Sequence, residues 1–127
     1  MSQSRLLIVN REFIETDEFH KTWKSLELSD KELIELQNMI MENPDCGTLI
    51  QGTGGLRKMR YSIHANKGKS GGIRVCYVDF KGAGKTILVT AFSKNVKESL
   101  SAKEKRVIKK LIEQLKQYYG GNNYEEE

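Results

Sequence analysis

Between Cys46 and Val78 the chain contains no aspartate and no glutamate. Such a stretch cannot supply the paired carboxylates of glycosidase chemistry or an oxygen cage for calcium or magnesium. Imidazole and thiol ligands are scarce too: His20, His64, Cys46 and Cys76 are the full set. Their spacing fits no zinc motif, so a four-ligand structural site cannot be assembled. No cofactor is expected. His20 reads as solvated, His64 at the edge of the basic loop reads as a spectator with a proton-acceptor role as the alternative, and the two cysteines read as reduced thiols in a cytoplasmic protein. Long apolar runs are absent. Leu6–Val9 is too short for a leader peptide, and no segment approaches the length of a membrane span.

What is present is positive charge, unevenly spread. From Cys46 to Lys97 there are ten Lys/Arg against one acid, Asp79, whereas Met1–Asp45 carries five Lys/Arg against ten Asp/Glu. The overall charge of +4 therefore conceals a sub-surface of +9 beside a half of −5. Local concentration of one sign is what draws a polyanion, and phosphate backbones are the first candidate. A solvated basic face is the plain alternative.

The 127 residues suit one domain, spanning 1–119, with an acidic tail at 120–127 too poor in apolar residues to pack. Leu6–Ile14 reads as a first strand. Thr16 or Asp17 can cap a helix holding Phe19, Trp23 and Leu26. Ser29 with Glu32 forms a capping-box signature for a second helix, with Leu33, Leu36, Met39 and Ile40 on one face, ending before Pro44. Leu56–Ile63 alternates as a strand should, putting Lys58 and Arg60 on one face and Arg57, Met59 and Tyr61 on the other. After a Gly/Lys/Ser loop at Asn66–Gly72, Ile73–Phe80 and Thr86–Phe92 form a hairpin around Gly82–Gly84. Ser101 caps a last helix whose apolar stripe runs Val107, Ile108, Leu111, Ile112, Leu115 and Tyr118. The expected fold is α+β, in the order β-α-α-β-β-β-α, with helices on one face of a mostly antiparallel sheet and a bare, basic opposite face.

Two tempting signals fail. Gly84-Lys85-Thr86 and Gly68-Lys69-Ser70 suggest a phosphate loop, but the glycine required five positions earlier is replaced by Asp79 and Ile63. A strand rather than a helix also follows Lys85.

The strings IQGTGGLRKMR at Ile50–Arg60, KGKSGGIRV at Lys67–Val75 and FSKN at Phe92–Asn95 resemble the HigB-type toxins of the RelE/ParE superfamily of bacterial toxin–antitoxin systems. The likeness runs in element order from about Phe13 to Tyr119. It implies a RelE-like, microbial-RNase-type fold and a metal-independent endoribonuclease that cuts translated messenger RNA in the ribosomal A site. It also implies a cognate antitoxin, often a helix-turn-helix DNA-binding protein, as partner alongside the ribosome and messenger RNA. By the same resemblance the catalytic residues are Lys58, Arg60, Arg74 and Lys94, with Lys67, Lys69 and Phe92 on the RNA. Members with a Tyr-x-Lys segment place an aromatic hydroxyl at the site. Here Phe92-Ser93-Lys94 leaves a ring able only to stack.

The chemistry of the residues agrees with that implication. Cleavage by the RNA's own 2′-hydroxyl needs a proton acceptor and stabilisation of extra charge on phosphorus. Arginine forks suit the phosphate oxygens, which singles out Arg60 and Arg74. A lysine crowded by other cations can serve as base or acid near neutrality, with Lys58, Lys69 and Lys94 as candidates. Phe92, and behind it Tyr61, could stack on a splayed base. Arg57, on the other strand face, reads as structural. Two rival functions share these features: a DNA gyrase inhibitor of the same superfamily, and an RNA-binding module without chemistry. A further expectation is that the acidic N-terminal half receives a basic segment of the antitoxin.

Overall fold

The computed structural model describes residues 11–62 and 72–120. Eight main elements follow one another: β1 (Glu12–Glu15), α1 (Asp17–Ser25), α2 (Asp30–Glu42), β2 (Thr48–Leu49), β3 (Arg57–Tyr61), β4 (Ile73–Phe80), β5 (Lys85–Ser93) and α3 (Ala102–Leu115). A short 3-10 turn at Lys81–Ala83 links β4 to β5. The five strands form one sheet in the order β1-β5-β4-β3-β2. Only β1 pairs in parallel, against β5, and the other pairings are antiparallel. The α+β class is as expected, with β2 as an additional strand. Of the anticipated first strand, the portion before Arg11 lies outside the described residues, and so does the acidic tail beyond Gly120.

Local chemistry sets the helix starts. The Thr16 hydroxyl accepts from Phe19 N at 2.9 Å and donates to Val89 O at 2.7 Å, so one side chain both caps α1 and ties it to β5. Ser29–Glu32 and Ser101–Glu104 form complete capping boxes on α2 and α3, each contributing about 1 kcal/mol by relieving unpaired N–H groups. Asn43, extended before Pro44, ends α2. The segment after it is pinned to β4: Tyr77 Oη donates to Pro44 O at 2.7 Å and accepts from Gly47 N at 3.0 Å.

The sheet is covered on both faces, which corrects the expectation of a bare one. Phe19, Trp23, Leu36 and Ile40 of α1 and α2 pack with Met59, Tyr61, Val75, Tyr77 and Leu88 on one side. On the other, Ile108 and Ile112 of α3 pack with Leu56, Cys76, Val78, Phe80, Ile87 and Phe92. The reason is compositional: β4 and β5 carry apolar residues on both faces rather than at alternate positions only, so both sides demand cover. The α3 stripe also differs from its sequence reading at two places. Val107 is 61% and Tyr118 80% exposed, because the inward line is 108–112 and the helix widens into a π-turn at Lys116–Gly120. Tyr119 instead packs on Phe80, with ring centroids 5.8 Å apart. Among the described residues no helix is long and apolar enough to cross a membrane.

Candidate functional site

A turn and a strand carry the GTGGLRKMR string. Gly52, Gly54 and Gly55 adopt positive φ (82°, 81° and 129°), and the buried Thr53 hydroxyl bridges the turn, donating to Ile50 O and accepting from Leu56 N. Leu56 then anchors in the α3-side core, and the strand proceeds with Lys58 and Arg60 facing the same way. On β4 and β5 the register opposite Lys58 is Cys76 then Thr90, and opposite Arg60 it is Arg74 then Phe92. Directly paired side chains of this kind have Cβ atoms about 4.5–5.5 Å apart. Arg60 is exposed, while Lys58 and Arg74 are half-buried. Lys94 is exposed in the turn after β5, its backbone N–H on Gly72 O at 3.3 Å. Gly72, at φ 67°, sits where an added Cβ would meet Tyr61 O at 3.2 Å, which accounts for glycine at the entrance to β4.

Thus Lys58, Arg60 and Arg74 form a continuous cationic patch, with Lys94 at its edge. The single acid of the basic block does not dilute it. Asp79 is turned to the opposite face, where it is nearly buried in an ion pair with Arg11 and accepts from the Thr86 hydroxyl at 2.8 Å. Residues 11–122 match the family model for the RelE toxin of the RelE/RelB toxin–antitoxin system. The chain belongs to that family.

In this RelE-family chain several sequence expectations change on meeting the tertiary structure. Phe92 is not an exposed stacking platform: it is 6% exposed in the α3-side core, and the Lys97 ammonium lies 5.0 Å from its ring centroid. The cause is a β-bulge. The register slips between Cys76 and Tyr77, so that Cys76 pairs with Thr90 but Tyr77 with Leu88. Val89 becomes an extra residue, and the alternation beyond it is inverted. Phe92 is thereby turned toward α3. Tyr61 is buried as well, donating to Glu35 Oε1 at 2.5 Å. Desolvation, then the hydrogen bond to Glu35, pushes its phenol well above the ordinary range. Lys67 and Lys69 lie outside the described residues.

Arg57 behaves as its strand face implied. Its guanidinium donates to Gly47 O at 2.6 Å and pairs with Asp45 at 3.3 Å, bracing the β2 edge. His20 is exposed beside Glu15, while His64 is not among the described residues.

Two residues that sequence reasoning left outside the site stand at its border. Lys97, from the β5–α3 connection, pairs with Glu104 of α3 at 2.6 Å. Both Lys97 and Lys58 act electrostatically on the Cys76 thiol. Burial nevertheless prevails and pushes that thiol up to about 12, so it is an inert part of the floor. The available signal is weak: Lys97 is one basic residue among ten in its block, and Glu104 stands out only by lying three residues after Ser101. Among the described residues no group of three His, Cys, Asp or Glu side chains converges as metal ligands.

Proposed function

We propose that the protein is the toxin of a type II toxin–antitoxin pair, of the HigB type within its family, and that it cleaves translated messenger RNA in the ribosomal A site. The observation that carries this reading is the pairing of Arg60 with Arg74 across β3 and β4, one register step from Lys58, on a face to which β3, β4 and β5 contribute no acid. Two guanidiniums directly opposite one another repel, which costs stability. Side by side they also offer paired planar donors, and a phosphodiester has the charge and oxygen geometry for two arginine forks.

In the proposed reaction the RNA 2′-oxygen attacks phosphorus in line with the departing 5′-oxygen. The P–O5′ bond breaks as the P–O2′ bond forms, leaving a 2′,3′-cyclic phosphate and a 5′-hydroxyl. Arg60 and Arg74 hold the non-bridging oxygens as charge grows on them. Preorganised donors of this kind contribute about 3–4 kcal/mol each. Lys58 and Lys94 complete the positive field, and a lysine amine accepts the 2′-proton while a lysine ammonium returns one to the leaving oxygen. No step calls for a metal ion or cofactor. The ribosome supplies the splayed, single-stranded message that this route needs.

The antitoxin is expected on the other side of the molecule. Asp30 and Glu42 flank the exposed Ile34 and Met41 on α2, a pattern that suits a basic amphipathic segment. Hydrogen exchange of the complex would show protection over α1 and α2. Protection confined to β3, β4 and Lys94 would instead mean direct blockade of the basic face.

The decisive experiment is brief expression in a bacterium with mapping of messenger-RNA ends and their chemistry. Cuts within translated codons, bearing cyclic phosphates and persisting when added divalent cations are chelated, are expected. Replication arrest without cuts would reject the reading in favour of gyrase inhibition, and 3′-hydroxyl ends would reject the 2′-oxygen route.

A further inference from the structure

Lys97 has an arrangement that a merely solvated lysine would lack. Its ammonium is held at 2.6 Å by Glu104 Oε2 and rests 5.0 Å from the Phe92 centroid. Glu104 is itself fixed, because its other carboxylate oxygen accepts from Ser101 N at 2.8 Å in the α3 capping box. Phe92 is fixed by the core and stands in the same cross-strand row as Arg74 and Arg60. A buried ring on one side and a helix-anchored carboxylate on another thus hold a cation at the end of the Arg60–Arg74 row. The pair is still open to solvent, with side chains 35% and 41% exposed. One carboxylate satisfies one of the three ammonium protons and leaves donors for an incoming anion. Kinases use the same device, a helix glutamate holding the lysine that meets the nucleotide phosphates.

From this geometry we infer that Lys97 is a further RNA-phosphate ligand of the basic face, with Glu104 and the Phe92 ring as the groups that position it. The inference rests on the reading of that face as an RNA site. It assigns the ring of Phe92 a definite part: a cation–π seat for Lys97 in place of a base-stacking surface. The phosphate met by Lys97 is one neighbouring that held by Arg60 and Arg74, since Lys97 lies past the Phe92 end of the row.

The test is binding of a short single-stranded RNA, methylated at its 2′-oxygens so that it cannot be cut, over a series of salt concentrations. Removing one cation that neutralises a phosphate should reduce the slope of log affinity against log salt by about 0.7. Lys97→Met keeps an apolar stem and a favourable sulfur–ring interaction with Phe92, so the fold is retained. It is expected to show that smaller slope, and Lys97→Arg to restore the wild-type one. Glu104→Gln keeps the cap acceptor but not the ion pair. It should weaken binding, and its fold-loss combined with Lys97→Met should fall short of the product of the two. Arg74→Ala serves as the reference. An unchanged slope in Lys97→Met, with a reduced one in Arg74→Ala, overturns this inference and leaves the RNA reading standing. Failure of the wild-type chain to bind at low salt overturns both. Fold-losses for Lys97→Met and Glu104→Gln that simply multiply would remove Glu104 from its positioning role.

Discussion

Replacing Arg60 by alanine separates function from stability in a way that few substitutions here can. Arg60 is exposed, and its side chain forms no hydrogen bond or ion pair among the described residues. Its direct cross-strand neighbour is Arg74. Like charges placed opposite one another in a sheet destabilise by about 0.2–1 kcal/mol relative to an alanine pair. Loss of the partly covered arginine stem gives back a few tenths of that, since an exposed surface substitution is worth about ±0.5 kcal/mol. Arg60→Ala should therefore melt within about 0.5 kcal/mol of the wild-type chain, on the stable side at low salt. Its activity should move much further. Removal of one preorganised donor to a charged transition state costs about 2.7–4 kcal/mol, or roughly 100- to 1000-fold in rate. The assay pairs thermal unfolding at low and high salt with cleavage of a translated message in a reconstituted system. A variant that cuts within about threefold of wild type, against the roughly 100-fold loss this mechanism demands, would refute the assignment of the face. A variant that loses activity only because it melts early would refute the account of the arginine pair.

Three further outcomes are expected. At pH 8 an alkylating reagent should label the exposed Cys46 and spare Cys76, whose thiol is buried and held up to about 12; rapid double labelling of the folded chain would contradict that placement. Asp79→Ala should cost about 3–5 kcal/mol by stranding the nearly buried Arg11, with urea unfolding as the measurement; a loss below about 1 kcal/mol, the range of exposed pairs, would show the pair to be solvated. The hydrogen bond from Lys97, then the one from Ser101 N, holds the Glu104 carboxyl below the ordinary 4.5. Its stabilisation is thus present in full above that value and is lost as pH falls through the lower folded one. Amide protection at the start of α3, taken relative to the intrinsic exchange rate at each pH, should fall on acidification in that range, and Glu104→Gln should abolish the step.

Much of this protein is legible in one dimension because its signals are local. A serine three residues before a glutamate, or a threonine before an acidic first turn, meets the N–H groups of its own helix, so the starts of α1, α2 and α3 need no distant partner. Alternation puts Lys58 and Arg60 on one face and makes Arg57 structural for the same local reason. The hairpin between β4 and β5 and the turn at Gly72 belong to this class too. What the sequence could not determine depends on which atoms lie across a gap. From sequence one face of the sheet is expected to be bare, and only assembly shows that α3 covers it through the second apolar side of β4 and β5. The bulge at Val89 leaves no composition signal and is visible only in the pairing of two strands, yet it decides that Phe92 turns into the core. Asp79 reads as the one acid of a basic block until Arg11, sixty-eight residues away, is found against it. Lys97 and Glu104 meet because α3 folds back over β5, seven residues apart in the chain and joined only through that turn. Side-chain alternation and capping act within a few residues, so the chain itself carries them. Strand register, helix docking and ion pairing are chosen by the free energy of the whole packed domain, and these determine which cations border the basic face.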